Sequence, residues 1–269
     1  MYFCPHQIEE MILSFYKYQG TGNDFVLVDN RHDIFPKNNT KLIRKLCDRK
    51  FGIGADGLIL LENDETYDFK MIYYNADGNE STMCGNGGRC MVAFANFLGV
   101  IQQETTFIAI DGTHYASIEA DVVNLQMQDV TTIENHDEHV FLDTGSPHHV
   151  TFKEEISQFD IKKEGAAIRY GAPYFEEGTN VNFVKKLSET EFRVRTYERG
   201  VEDETLSCGT GVTAVALAMH HLQETSANTV TLQVEGGSLE VSFEKEATSY
   251  KNIFLKGKAT QVFKGEISC

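Results

Sequence analysis

The sequence predicts an α/β chain of the α+β kind: two pseudo-symmetric domains, each a curved, mostly antiparallel sheet wrapped around a central helix. Three observations predict it. The segment Cys84-Gly85-Asn86-Gly87-Gly88-Arg89-Cys90-Met91 returns 124 residues later as Cys208-Gly209-Thr210-Gly211-Val212-Thr213-Ala214-Val215. The same offset pairs Gly54 with Gly178, Tyr73 with Tyr197, Glu80 with Glu204 and Gly112 with Gly236, the signature of a duplicated unit. Strand patterns outnumber helical ones, and each half holds one long apolar helix that a wrapped sheet would bury.

The elements follow in order. Ser14 to Asn30 reads as strand, a turn at Gly20-Thr21-Gly22-Asn23, and strand. Thr40 is placed to cap a helix running through Lys50, with Leu42, Ile43, Leu46 and Cys47 on its core face. Leu58–Leu61 is a buried strand, and Phe69, Met71 and Tyr73 alternate along the next. A polar turn, Asn75-Ala76-Asp77-Gly78, leads to Cys84, and the helix continues through Leu98. A hairpin turning at Asp111-Gly112 leads into strands reaching Met127. The second half repeats this order, with a helix around Ala166–Ile168, a strand at Val181–Val184, alternation at Phe192 and Val194, and a hairpin at Glu235-Gly236. The expected division is 13–128 with Cys84 and 129–256 with Cys208. A strand within 257–269 returns to the first half, and 1–12 is an N-terminal extension.

With 24 Lys and Arg against 40 Asp and Glu, the chain carries a net charge of −16. Such a surface repels nucleic acid and anionic membrane, so neither is expected as a partner. No apolar stretch is long enough to span a bilayer. Met1 to His6 lacks the basic and apolar regions of a secretory signal, Met11 could serve as a second start, and a cytoplasmic location is expected. The six cysteines (4, 47, 84, 90, 208 and 269) include no Cys-x-x-Cys, and Cys84 and Cys90 have no nearby histidine pair. A disulfide framework and a structural metal site are therefore not expected.

Gly52-Ile53-Gly54-Ala55-Asp56-Gly57 fits a dinucleotide-binding pattern, but that fingerprint needs a strand before it and a helix after it. Here a helix precedes and a strand follows. Gly209–Ala214 opens a helix, yet a polar stretch, Glu202–Thr205, comes before it. Neither points to a nucleotide.

An isolated cysteine is most simply a small buried hydrophobe. Cys84 and Cys208, however, both stand just ahead of glycines at a helix start, where partial positive charge favours a thiolate. Packing gives no reason to repeat thiol, loop and helix N-terminus together. Cys47 and Cys90 read as core, Cys4 and Cys269 as tails. His148, Glu198 and Arg199 fall at element ends that match Asn23 and Asn75 in the other half. Singly they read equally as surface polar residues, Glu198 and Arg199 as an ion pair; gathered from both halves they would form the polar ring of a zwitterion-binding cleft.

Two helix N-termini aimed at one cleft offer backbone N–H groups to a carboxylate, with a sulfur on either side of its α-carbon. One thiolate can remove the α-proton while the opposite thiol delivers another, inverting the centre without a cofactor. A free thiol has a pKa of about 8.5, so the helix ends are expected to depress the basic partner's value.

The motifs Gly20-Thr21-Gly22-Asn23-Asp24-Phe25, Asn75-Ala76-Asp77-Gly78, Cys84–Cys90 and Tyr197-Glu198-Arg199-Gly200 through Cys208-Gly209-Thr210-Gly211 strongly resemble diaminopimelate epimerase, from about Leu13 to the C-terminus. The resemblance implies a diaminopimelate-epimerase-like fold and cofactor-free interconversion of LL- and meso-2,6-diaminopimelate in lysine and cell-wall synthesis. It also implies a homodimer and a small amino-acid substrate. Residue by residue, it implies Cys208 as base and Cys84 as acid in the LL-to-meso direction. Gly85, Asn86, Gly209 and Thr210 would hold the reacting carboxylate, while Asn23, Asn75, Asn180 and Arg199 read the distal end. His148 and Glu198 would bind the amino group or orient the thiols.

Three positions depart from the family's pattern: Gly57 replaces a frequent glutamine, Ser146 an asparagine and Phe263 a tyrosine tied to the dimer contact. Proline or hydroxyproline epimerases share the two-thiol chemistry but have no use for distal Asn and Arg contacts. A thiol-redox or non-catalytic binding protein on the same duplicated fold is the alternative of another class.

Overall fold

Every ladder of the first half is drawn again in the second. The computed structural model describes residues 11–269; the expectations on Cys4 and the first ten residues lie outside the described residues. The first half runs β1 (Ile12–Gly20), β2 (Asn23–Asp29), α1 (Thr40–Cys47), β3 (Gly57–Glu62), β4 (Lys70–Asn75), β5 (Glu80–Ser81), α2 (Gly85–Phe97), β6 (Glu104–Ala109), β7 (Gly112–Glu119) and β8 (Val122–Gln126). After β9 (Ile133–Asn135) come β10 (Val140–Asp143), β11 (Pro147–Phe152), α3 (Ile161–Tyr170), β12 (Asn180–Lys186), β13 (Glu191–Glu198), β14 (Asp203–Thr205), α4 (Gly209–His221), β15 (Thr229–Val234), β16 (Gly237–Glu246), β17 (Ser249–Lys258) and β18 (Thr260–Ser268). In each half the first two strands are antiparallel, the second and third parallel, and the remainder mostly antiparallel.

The chain trades a strand between the halves. β9 follows β8 but pairs with β10, and β18 follows β17 but pairs with β1. β8 and β17 pair with each other through Val122–Gln126 and Phe254–Lys258, closing the described strands into one sheet.

α2 and α4 fill the two barrels. α2 is buried from Gly85 to Ala95, and α4 at Gly209 and from Gly211 to Met219, and one apolar cluster holds both. Burying a side chain such as Phe94 or Leu217 contributes about 2 kcal/mol relative to leaving it in water. A helix apolar on every side has no stable place except inside such a wrap.

Some sequence expectations shift. α1 is capped by Asn39, whose side chain accepts from Leu42 N–H, and it ends at Cys47 rather than Lys50. The Asp48 carboxylate takes the N–H groups of Lys50 and Phe51 at 2.7 and 2.8 Å, folding the chain away from the helix. β4 is buried on both faces: Met71 and Tyr73 face α2, Ile72 and Tyr74 face the α1 side. The repeat also slips by one. Tyr74, not Tyr73, sits opposite Glu80 as Tyr197 sits opposite Glu204, because the turn after β13 is one residue longer. Likewise the turn glycine matching Gly112 is Gly237, both left-handed, rather than Gly236.

Candidate active site

Cys84 and Cys208 are the residues at which α2 and α4 begin. The two helices meet end to end: a Cβ built on Gly209 would lie 3.1 Å from Gly85 Cα, and one on Gly85 3.4 Å from Gly209 Cα. Only glycines let the backbones approach so closely. Both sulfurs therefore border one cleft of about 930 Å³.

Gly85, Asn86, Gly209 and Thr210 form its floor, and Asn23, Asn75, Asn180, Glu198 and Arg199 its walls. His148 is not on the wall. It is fully buried behind Ser146, bonded to Ser146 and Asn182. Asn180 lines the cleft, but its amide is occupied: Oδ1 accepts from Arg199 N–H at 2.9 Å and Nδ2 donates to Pro147 O at 3.1 Å. It holds the Arg199 loop in place. Asn86 likewise spends its side chain on the seam, donating to Ser207 O at 3.0 Å and to Asn23 Oδ1 at 3.2 Å. Its Oδ1 accepts from the fully buried Arg89. Among the described residues, no carboxylate pairs with Arg89, and burial lowers its pKa to about 10.

Burial pushes the Cys84 thiol up to about 11, against the pull of the Gly87 N–H that it accepts at 3.2 Å. It pushes Cys208 up to about 12, with the Glu198 charge adding and the Thr210 hydroxyl opposing. The expected depression by the helix ends is thus outweighed: desolvation of a buried thiolate exceeds the half-charge of a helix terminus. Glu198 forms no ion pair with Arg199; burial pushes its carboxyl up, Asp56 adds to this, and the Thr205 hydroxyl nearby opposes it.

Several site features escaped the sequence. Asp56 holds Asn23 Nδ2 at 2.6 Å and is itself clasped by Arg49 at 2.7 Å. Tyr73 projects into the cleft, packs edge-on against Phe25 at 5.9 Å, and has no hydrogen-bond partner for its hydroxyl among the described residues. Its ring fills the space over Gly57: a Cβ there would lie 2.5 Å from Tyr73 Cε2. The signal was present, since Tyr73 lies two residues from Asn75 on one face of β4. Phe263, the third departure, is 45% exposed on β18, edge-on to Phe15 at 5.9 Å. The Gly52–Gly57 loop does lie after a helix and before a strand.

The family model described as "Diaminopimelate epimerase" matches residues 15–133 and 140–262. A relative of that name from Flavobacterium psychrophilum is 62% identical over 256 residues, spanning 95% of this chain and 100% of the relative. One from Chlorobaculum tepidum is 41% identical, spanning 93% and 99%. Among solved structures, a Bacillus anthracis protein of the PhzF phenazine biosynthesis family superposes with a TM-score of 0.76 at 12% identity, covering 96% of this chain and 99% of that one. A hydroxyproline epimerase from Agrobacterium vitis superposes with a TM-score of 0.64 at 14% identity, covering 96% and 92%. At these identities the two structures speak to the fold, which is theirs. With its family model spanning both halves and its relatives matched over nearly their full length, the chain belongs to the diaminopimelate epimerase family.

Proposed function

We propose that this enzyme interconverts LL- and meso-2,6-diaminopimelate by proton transfer between two thiols. The observation that carries the reading is that Cys84 and Cys208, each at a helix N-terminus, border one cleft. A carboxylate on the floor would accept backbone N–H groups at the meeting of α2 and α4. The substrate ammonium, entering beside Glu198, brings the positive charge that makes a thiolate accessible at neutral pH. In the LL-to-meso direction Cys208 as thiolate takes the α-proton and becomes a thiol. The electron pair spreads into the carboxylate, and the Cys84 thiol protonates the carbon from the opposite face, leaving its own thiolate. The reverse reaction exchanges the two roles. Asn75 and Arg199 line the cleft, and their side chains carry the donors that a distal amino-acid end requires and a proline-sized substrate does not.

Incubation with LL-diaminopimelate in deuterated water tests this directly. Deuterium is expected at one α-carbon together with inversion there; reduced protein that exchanges no α-proton would refute the reading. A homodimer in the cytoplasm belongs to the same proposal. Free thiols suit a reducing compartment, and the β18 edge exposes Val262 and Phe263, a surface a second copy would cover. Light scattering should return twice the chain mass, and a monomer at micromolar concentration would remove that part.

A further inference from the structure

Behind Cys208 runs a line of hydrogen bonds whose direction is fixed from Asn182 to Ser146. It begins at buried Asn182. Its Oδ1 accepts from the Thr196 hydroxyl at 3.0 Å and its Nδ2 donates to His149 O at 3.2 Å, so the amide has one orientation. The same Nδ2 faces His148 Nδ1 at 3.1 Å, and Nδ1 must accept. Burial, reinforced by the Arg199 charge, holds His148 down at about 3, so the ring is neutral and its one hydrogen is on Nε2. Nε2 lies 3.1 Å from Ser146 Oγ and donates to it. Asn180 Nδ2, oriented by its own bonds to Arg199 N–H and Pro147 O, donates to the same oxygen at 3.3 Å.

An oxygen that accepts twice has its own hydrogen left to give. The remaining neighbour is Thr210 Oγ1 at 3.1 Å. The Thr210 hydroxyl, accepting there, lies 3.5 Å from the Cys208 sulfur, and towards a thiolate it can only donate. Cys84 has no such line and is met only by backbone N–H groups, those of Gly87 and Asn86. The two halves thus differ where the duplicated segment itself differs, at Thr210 against Asn86.

We infer that Ser146 is a positioning residue: ordered by His148 and Asn180, its hydroxyl fixes Thr210 as a donor to the Cys208 sulfur and thereby favours the thiolate of Cys208. The inference rests on the two-thiol reading for its meaning in turnover, but not for its measurement. A hydrogen bond to the charged form favours that form, and donors in series strengthen the last one. The charged and titratable groups facing this line are Glu198 on β13 and Cys84 at the start of α2, both near Cys208, and Arg199 beyond β13, near His148.

The test is the pH dependence of iodoacetamide alkylation, resolved by peptide mass for Cys84 and Cys208 separately, in the full-length protein without substrate. Ser146→Ala should raise the Cys208 midpoint by roughly half to one pH unit while Cys84 stays in place. Ser146→Thr, which keeps the hydroxyl, should stay within about 0.2 unit of the unaltered protein. An unmoved Cys208 midpoint in Ser146→Ala overturns the inference. So does an equal shift at Cys84, or Ser146→Thr behaving as Ser146→Ala, which would make packing the cause. Because alkylation needs no turnover, failure of proton exchange in deuterated water would sink the epimerase reading while leaving this result to stand or fall alone.

Discussion

The thiols at 84 and 208 were legible as residues because an unusual chemistry was repeated in an unusual place. Their environment was not. A helix start is local and visible in the sequence; the desolvation that raises both thiols comes from strands and helices far along the chain. His148 shows the same limit. Its position near a turn suggested a cleft wall, but the fold buries it and leaves Ser146 in front. Tyr73 was hidden by the one-residue slip in the repeat, since a shift of one sends a strand residue to the opposite face. At this scale the sharpest expectation concerns the sulfurs themselves. Cys84→Ala and Cys208→Ala should each cut epimerisation by about 10³-fold or more, the scale of a lost general acid or base, with unchanged circular dichroism. Turnover within tenfold of the unaltered enzyme in either variant would count against the two-base scheme.

Among the elements, α2 and α4 were clear from their apolar runs, whereas the ends of α1 were not. Asn39 and Thr40 are both good caps and adjacent, and it is the Asn39 side chain that takes the Leu42 N–H; at the other end the Asp48 carboxylate draws the chain off the helix. What the sequence could not disclose is that the two helices touch. Gly85 and Gly209 read as helix-start glycines that offer backbone N–H groups; in the structure they are also the contact. An added methyl at 209 would press on Gly85 and on Leu255 Cδ2, both 3.1 Å from its position. Gly209→Ala is therefore expected to spread the helix starts by a few tenths of an ångström. That should lower kcat by roughly tenfold to a hundredfold, because proton transfer is sensitive to small misplacements. Steady-state kinetics beside a thermal melt checks this; a kcat within twofold of the unaltered enzyme would mean that the spacing tolerates the change.

At the level of the molecule, buried titratable groups shape the pH range of stability. The thiols of Cys47, Cys84, Cys90 and Cys208 are raised by burial to about 12, 11, 12 and 12 from 9.0. A folded value above the unfolded one means that the stability is complete below pH 9 and is lost as pH rises towards 11 or 12. His148 and His149 are depressed by burial to about 3 from 6.5, so their contribution is complete above pH 6.5 and falls away below it. Urea midpoints should accordingly be level between about pH 6.5 and 9 and decline on both sides. A midpoint constant up to pH 11 would show that the thiols are not desolvated as described.

The traded strands β9 and β18 carry a consequence for how such a chain can have arisen. A polypeptide with only one of these halves would end in an arm that fits its twin and not itself, so it could be completed only as a mutually clasped pair. The twofold axis of that pair would pass between two identical sulfurs, neither distinguished from the other before a substrate arrives. Joining the copies in a single gene removes the symmetry and lets one half acquire a serine, a histidine and a threonine that the other lacks.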